Sequence, residues 1–136
     1  MPVFLTPAML NICVALDAMD EESGCLEVVV ASHEFGRFDH VLLDADGRRL
    51  PAVPSRRCNV PMRIGVDPDR LSVILDRRAL TPAVLALGDL VVFHGNSIHR
   101  SSANRSARPR RAVICCFYAK SNSPVRLISP LGEVTA

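Results

Sequence analysis

Residues 88–118 read GDLVVFHGNSIHRSSANRSARPRRAVICCFY, and this stretch limits the fold more than any other. Two short apolar runs, 90–93 (LVVF) and 112–117 (AVICCF), flank a polar loop with His94, His99 and five arginines: Arg100, Arg105, Arg108, Arg110 and Arg111. Runs this short, rich in Val, Ile and Phe and separated by Gly, Asn, Ser and Pro, favour strands over helices. The expectation is an antiparallel pair joined by a long connection. The loop would carry the chemistry and the strands would hold it in place.

The rest of the chain follows the same pattern. Residues 10–16 (LNICVAL) suit a strand buried on both faces. A polar turn at 17–24 (DAMDEESG) leads to a second strand at 25–31 (CLEVVVA), so these two are expected to pair as a hairpin. Between 36 and 69, Pro51, Pro54, Pro61, Pro68 and the Asp46-Gly47 pair break the chain into pieces too short for a helix. That long excursion has the length of a functional lid or, equally, of a poorly ordered loop. Residues 71–75 (LSVIL) read as a further strand, and Pro82 limits any helical turn around Ala79. Five or six short strands with little helix predict a mainly β sandwich or small barrel. This is few strands for a closed structure, which points to a missing part.

At 136 residues, with 49% apolar and 22% charged side chains, the chain has the size and balance of a single globular domain, 1–136. Trp is absent and aromatics are 4%, so Val, Leu, Ile and Ala are expected to build the core. Five cysteines, Cys13, Cys25, Cys58, Cys115 and Cys116, form no Cys-x-x-Cys and leave an odd count. This argues against a disulfide framework and for a reducing, cytoplasmic setting. No run is long enough to span a membrane as a helix.

Charge is divided unevenly. Residues 1–89 carry 9 basic and 13 acidic side chains, a balance of −4, whereas 90–136 carry 7 basic and 1 acidic, a balance of +6. A loop of arginines in a region cleared of carboxylates points to an anionic ligand, the alternative being a solvated basic surface. The acidic turn at 17–22 is expected to be solvated. In a hairpin, His99 past the first strand and Arg110 before the return strand would face each other. An imidazole can bind a divalent metal, and a guanidinium can grip a carboxylate through two parallel hydrogen bonds. The His94-x4-His99 spacing also fits half of a zinc site, but no paired cysteines complete it. His94 and His33 are expected to be structural.

The segment GDLVVFHGNSIHRSSANRSARPRRAVICCFYAKSN resembles the C-terminal part of the phytanoyl-CoA dioxygenase-like proteins. These are Fe(II)- and 2-oxoglutarate-dependent oxygenases built on a double-stranded β-helix, the cupin-like jelly roll. The segment ALDAMDEESGCLEVVVASH, residues 15–33, resembles the same family's acidic turn, Gly-Cys-Leu strand and Ser-His pair. The resemblance implies that His99 is the distal iron ligand and that Arg110 pairs with the far carboxylate of 2-oxoglutarate. By the same match Ser101 assists the cosubstrate, Asn104 holds a polar position at the cofactor site, and His94 is no ligand. Two histidines and a carboxylate on one face of iron leave sites for cosubstrate and oxygen. The implied activity is hydroxylation of a small-molecule substrate.

The chain departs from the family pattern in one essential respect. The family draws its other two ligands from His-x-Asp, yet the residues two positions after the histidines here are Phe35, Leu42, Asn96 and Ser101. By family spacing the motif falls just before Met1, so the expected fold is a β-helix incomplete at its N-terminus. In-frame translation upstream of Met1 discriminates. Cys13 also stands where relatives often carry an aromatic residue, and Arg100 replaces a common glycine. A second reading is a non-catalytic remnant that binds a small carboxylate or other anion through the basic loop. Nucleic-acid binding is disfavoured by the scarcity of aromatic side chains for stacking. Uncovered strand edges predict self-association.

Overall fold

The computed structural model describes residues 2–3, 8–38, 40–50, 63–122, 126–129 and 132–134. In chain order its strands are β1 (Pro2–Val3), β2 (Met9–Ala15), β3 (Leu26–Val29), β4 (His40–Leu43) and β5 (Arg63–Val66). The helix α1 (Pro68–Leu75) follows, then β6 (Leu80–Pro82), β7 (Leu90–His94), β8 (His99–Ser101), β9 (Ala112–Tyr118), β10 (Arg126–Ser129) and β11 (Gly132–Val134). The protein is mainly β with antiparallel pairing, as the short apolar runs require.

Two three-stranded sheets carry the interior, ordered β7-β2-β9 and β6-β3-β8. The chain passes repeatedly between them, so strands close in sequence lie in different sheets. Side chains alternate along a strand, and every second residue points inward. Cys13 of β2, Leu26 of β3 and Phe93 of β7 meet between the sheets, with Val28, Ala83 and Val91 packed on them. Ala15, Met19 and Cys25 form a second buried group against Leu85. The core thus takes sulfur side chains alongside aliphatic ones: small thiols and an adaptable thioether fill gaps that few aromatics are present to fill. β1, β10 and β11 form a third sheet, and β4 pairs with β5.

Several expectations fail for one reason, which is that the pairing is nonlocal. The runs containing β2 and β3 do not form a hairpin. β2 pairs with β7 and β9, while β3 pairs with β6 and β8. Likewise β7 and β9 are not partners, because β2 lies between them. Eleven strands are present among the described residues, rather than five or six. The segment near Ala79 is no helical turn: Leu80–Pro82 pairs with β3, where Pro82 sits opposite Glu27 at a strand end.

Residues 71–75 were expected as a strand and are the end of α1. The start signal outweighs the strand-like composition: Asp67 caps the helix by accepting from the Asp69 N–H at 3.0 Å, and Pro68 opens it. Proline's fixed φ and missing N–H suit a first helical turn. The excursion after Gly36 therefore contains a strand pair and the beginning of a helix. Pro51, Pro54, Pro61 and Cys58 lie outside the described residues. Cys13, Cys25, Cys115 and Cys116 are free thiols. Among the described residues no helix is long and apolar enough to cross a membrane.

Candidate active site

The register of β8 on β3 determines which loop residues face inward. His99 lies opposite Val28, Arg100 opposite Glu27 and Ser101 opposite Leu26. Leu26 and Val28 belong to the interior group, so His99 and Ser101, although exposed, share the face of those two residues and Arg100 lies on the opposite face. The ring of Phe93 from the other sheet lies 5.0 Å from that of His99. Arg110, just ahead of β9, donates from Nη1 to the Ser101 hydroxyl at 3.1 Å. His99, Ser101 and Arg110 are thus brought together by two different sheets.

Each side chain is prepared for polar contact in a different way. His99 Nδ1 lies 2.9 Å from the Ser97 carbonyl oxygen, which can only accept. In the neutral ring this contact selects the tautomer with the proton on Nδ1 and the lone pair on Nε2, the arrangement in which a histidine binds a metal through Nε2. Arg110 is half-buried, and its Nε is buried without a hydrogen-bond partner among the described residues. A buried N–H left unpaired costs about 1–3 kcal/mol, a cost that an incoming acceptor would remove. The same guanidinium is felt at Cys13: burial pushes that thiol's pKa up and the charge of Arg110 pulls it partly back.

Arg100, Arg108 and Arg111 are paired with carboxylates, which corrects the expectation of a merely solvated acidic turn at Asp17 and Asp20. Arg111 donates its backbone N–H and its guanidinium to Asp17, at 2.8 to 2.9 Å. These bonds, side chain first, hold the Asp17 carboxyl at about 2. Arg108 contacts Asp20 at 2.6 Å, and with the Ser23 backbone N–H it holds that carboxyl at about 2 as well. Arg100 grips both carboxylate oxygens of Glu27, at 2.8 and 3.2 Å. Gly24, at φ +77°, lets the turn close onto the loop, because a Cβ there would collide with the Ser102 carbonyl oxygen. Asn104 is spent inside the loop: its amide nitrogen donates to the Arg108 carbonyl, and its oxygen accepts from the Ser106 N–H and hydroxyl.

His94 and His33 lie apart from this set. His94 Nδ1 accepts from the Asn96 N–H at 3.0 Å, and its ring sits 5.2 Å from that of His33. Among the described residues no three His, Cys, Asp or Glu side chains gather to hold a metal. The sequence reading missed Asp17, Asp20 and Glu27 as partners of the loop, and Phe93 as the surface beneath His99. The opposite charge balances of the two halves were the available signal for the carboxylates.

Comparison with known proteins accords with this arrangement. The family described as "Phytanoyl-CoA dioxygenase (PhyH)" matches residues 1–112. The protein named "Dioxygenase lolE1" from Epichloe uncinata is 27% identical over 87% of this chain and 36% of its own length. A "Phytanoyl-CoA dioxygenase domain-containing protein 1" from Danio rerio is 29% identical over 75% of this chain and 30% of its own. An "L-proline trans-4-hydroxylase" from Streptomyces griseoviridis is 29% identical over 91% of this chain and 46% of its own. The chain therefore spans less than half the length of each of these relatives. With most of its residues matched and its inward histidine and arginine drawn together, the chain belongs to the phytanoyl-CoA dioxygenase family.

Proposed function

We propose that His99, Ser101 and Arg110 serve an Fe(II)- and 2-oxoglutarate-dependent hydroxylase acting on a small-molecule substrate. Arg110, with Ser101 beside it, grips the far carboxylate of 2-oxoglutarate, and His99 offers Nε2 as one iron ligand. The observation that carries this reading is the buried, partnerless Nε of Arg110. A carboxylate presents two acceptor oxygens that match the fork of a guanidinium. Asn104 is assigned to shaping the loop, since both ends of its amide are engaged there. Arg100, Arg108 and Arg111 are paired with carboxylates, which lowers the positive potential a nucleic acid would meet at those three side chains.

Iron would supply the oxidative decarboxylation of 2-oxoglutarate coupled to hydroxylation of a C–H bond. The described residues do not complete an iron site by themselves, because no three His, Cys, Asp or Glu side chains gather among them and a single imidazole makes a weak site. That observation favours a second reading, non-catalytic binding of a small dicarboxylate at the same arginine.

Calorimetry on the full chain separates the two. Both readings expect 2-oxoglutarate to bind without metal and Arg110→Ala to lose that binding. The hydroxylase reading further expects Mn(II), a redox-silent substitute for Fe(II), to tighten binding in the wild type and not in His99→Ala. Binding unchanged by Mn(II) leaves the second reading. No heat at millimolar 2-oxoglutarate overturns both.

A further inference from the structure

Ser32 is fully buried, and its hydroxyl bonds a residue 66 positions further along the chain. It opens a single 3-10 turn, Ser32–Phe35, shortly after β3. Ala31 just before it has φ +56°, a left-handed conformation that residues with a Cβ rarely adopt. The chain bends there, and the Ser32 Oγ accepts the Ile98 N–H at 2.8 Å. Ile98 belongs to the turn between β7 and β8, immediately ahead of His99.

The Ile98 N–H and the Ser97 carbonyl are the two ends of one peptide group. That group is planar and trans, so its ends point in opposite directions and move together. The carbonyl end lies 2.9 Å from His99 Nδ1. Ser32 therefore holds one end of a rigid plate whose other end holds the His99 ring. Rotation of that plate would carry its oxygen away from Nδ1. The peptide groups on either side are held by main chain instead: the Ser97 N–H donates to the His94 carbonyl, and the Ile98 carbonyl accepts from the Val29 N–H, both at 2.9 Å. His99 is itself exposed, so burial does not fix its ring, and the contact with the Ser97 carbonyl carries more of that task.

We infer that Ser32 is a positioning residue for His99: by holding the peptide between Ser97 and Ile98 it decides which ring nitrogen His99 offers. The inference concerns the ring itself, and its bearing on metal binding rests on the hydroxylase reading of His99 given above. His94 supplies a contrast within the same turn. Its Nδ1 accepts from the Asn96 N–H at 3.0 Å, so its neutral ring carries the proton on Nε2, through a bond that does not pass through the plate Ser32 holds. The two histidines are thus set in opposite tautomers, and Ser32 acts on one of them.

The test is long-range proton–nitrogen correlation NMR of the histidine rings in the full chain, well above the ordinary histidine pKa of about 6.5. Loss of signals in His99→Gln and His94→Gln identifies the two rings. The wild type is expected to show Nδ1–H at His99 and Nε2–H at His94. Ser32→Ala lowers the ratio of Nδ1–H to Nε2–H at His99 about fivefold, the contribution of one ordinary hydrogen bond, and leaves His94 unchanged. Ser32→Cys keeps a weaker acceptor and lowers the ratio less. An unchanged ratio in folded Ser32→Ala, an equal shift at both histidines, or a wild-type His99 protonated on Nε2 overturns the inference. If circular dichroism finds both Ser32 variants unfolded, slow hydrogen exchange of the wild-type Ile98 amide upholds it and fast exchange overturns it. Calorimetry keeps the two readings apart. Where Mn(II) tightens 2-oxoglutarate binding in the wild type, Ser32→Ala is expected to lose part of that tightening and to keep the metal-free binding. Wild-type binding unchanged by Mn(II), with the ring results as expected, removes the ligand role of His99 and leaves its positioning by Ser32 in place.

Discussion

Arg110 and Arg111 are neighbours in sequence with opposite circumstances. Arg111 turns outward and is closed off by three hydrogen bonds to Asp17. Arg110 turns inward, touches the Ser101 hydroxyl and keeps a buried Nε without a partner. The same residue type is closed by a carboxylate on one side of the strand start and keeps an unpartnered buried donor on the other. What separates the two is the face of the sheet each arginine occupies.

The largest test of this contrast removes the interior wall. Phe93→Ala is expected to destabilise the protein by about 3–5 kcal/mol, read by denaturant unfolding, since it leaves a cavity between the sheets and strips the surface under His99. Next comes Arg110→Ala, expected to weaken 2-oxoglutarate binding by about 2–5 kcal/mol in calorimetry while the fold holds. Arg111→Ala should do the reverse, leaving ligand affinity within a few fold and shifting thermal stability. Equal ligand loss in both variants would erase the distinction drawn between them.

Acid gives a graded test. The Asp17 and Asp20 carboxyls, held at about 2 in the folded chain, take up protons more readily when unfolded, near about 3.9. The stability they add is thus in place above about pH 4 and is lost as pH falls toward about 2. Thermal melts across that window should decline, and Asp17→Asn should remove part of the decline. The smallest effect is expected at Arg100, exposed and paired across strands with Glu27. A double-mutant cycle on these two should give no more than about 1 kcal/mol.

These contrasts also mark what the sequence could reveal. Strand character at residues 10–16, 25–31, 90–93 and 112–117 was legible because composition and run length are local properties. Which strand lies beside which was not, since β2 finds both partners far along the chain. The helix at Pro68–Leu75 was obscured by its β-branched Val73 and Ile74, although the Asp67-Pro68-Asp69 start signal was in view. His99, Ser101 and Arg110 came from resemblance, and their meeting at one place needed the fold. That Arg110 lacks a carboxylate partner, while Arg108 and Arg111 have one, could not be counted from charges alone.

The central position of β2 bears on how the chain comes to be folded. Met9 pairs with Tyr118, so β2 is completed by a strand far along the chain. Closing so long a loop before any contact rewards it is slow, and structures built this way fold on the scale of milliseconds to seconds. During synthesis β2 must wait, apolar and half-framed, until the ribosome has released residues 112–118. Vulnerability to aggregation is consequently greatest in the interval between the emergence of β2 and that of β9, when chaperone holding would matter most.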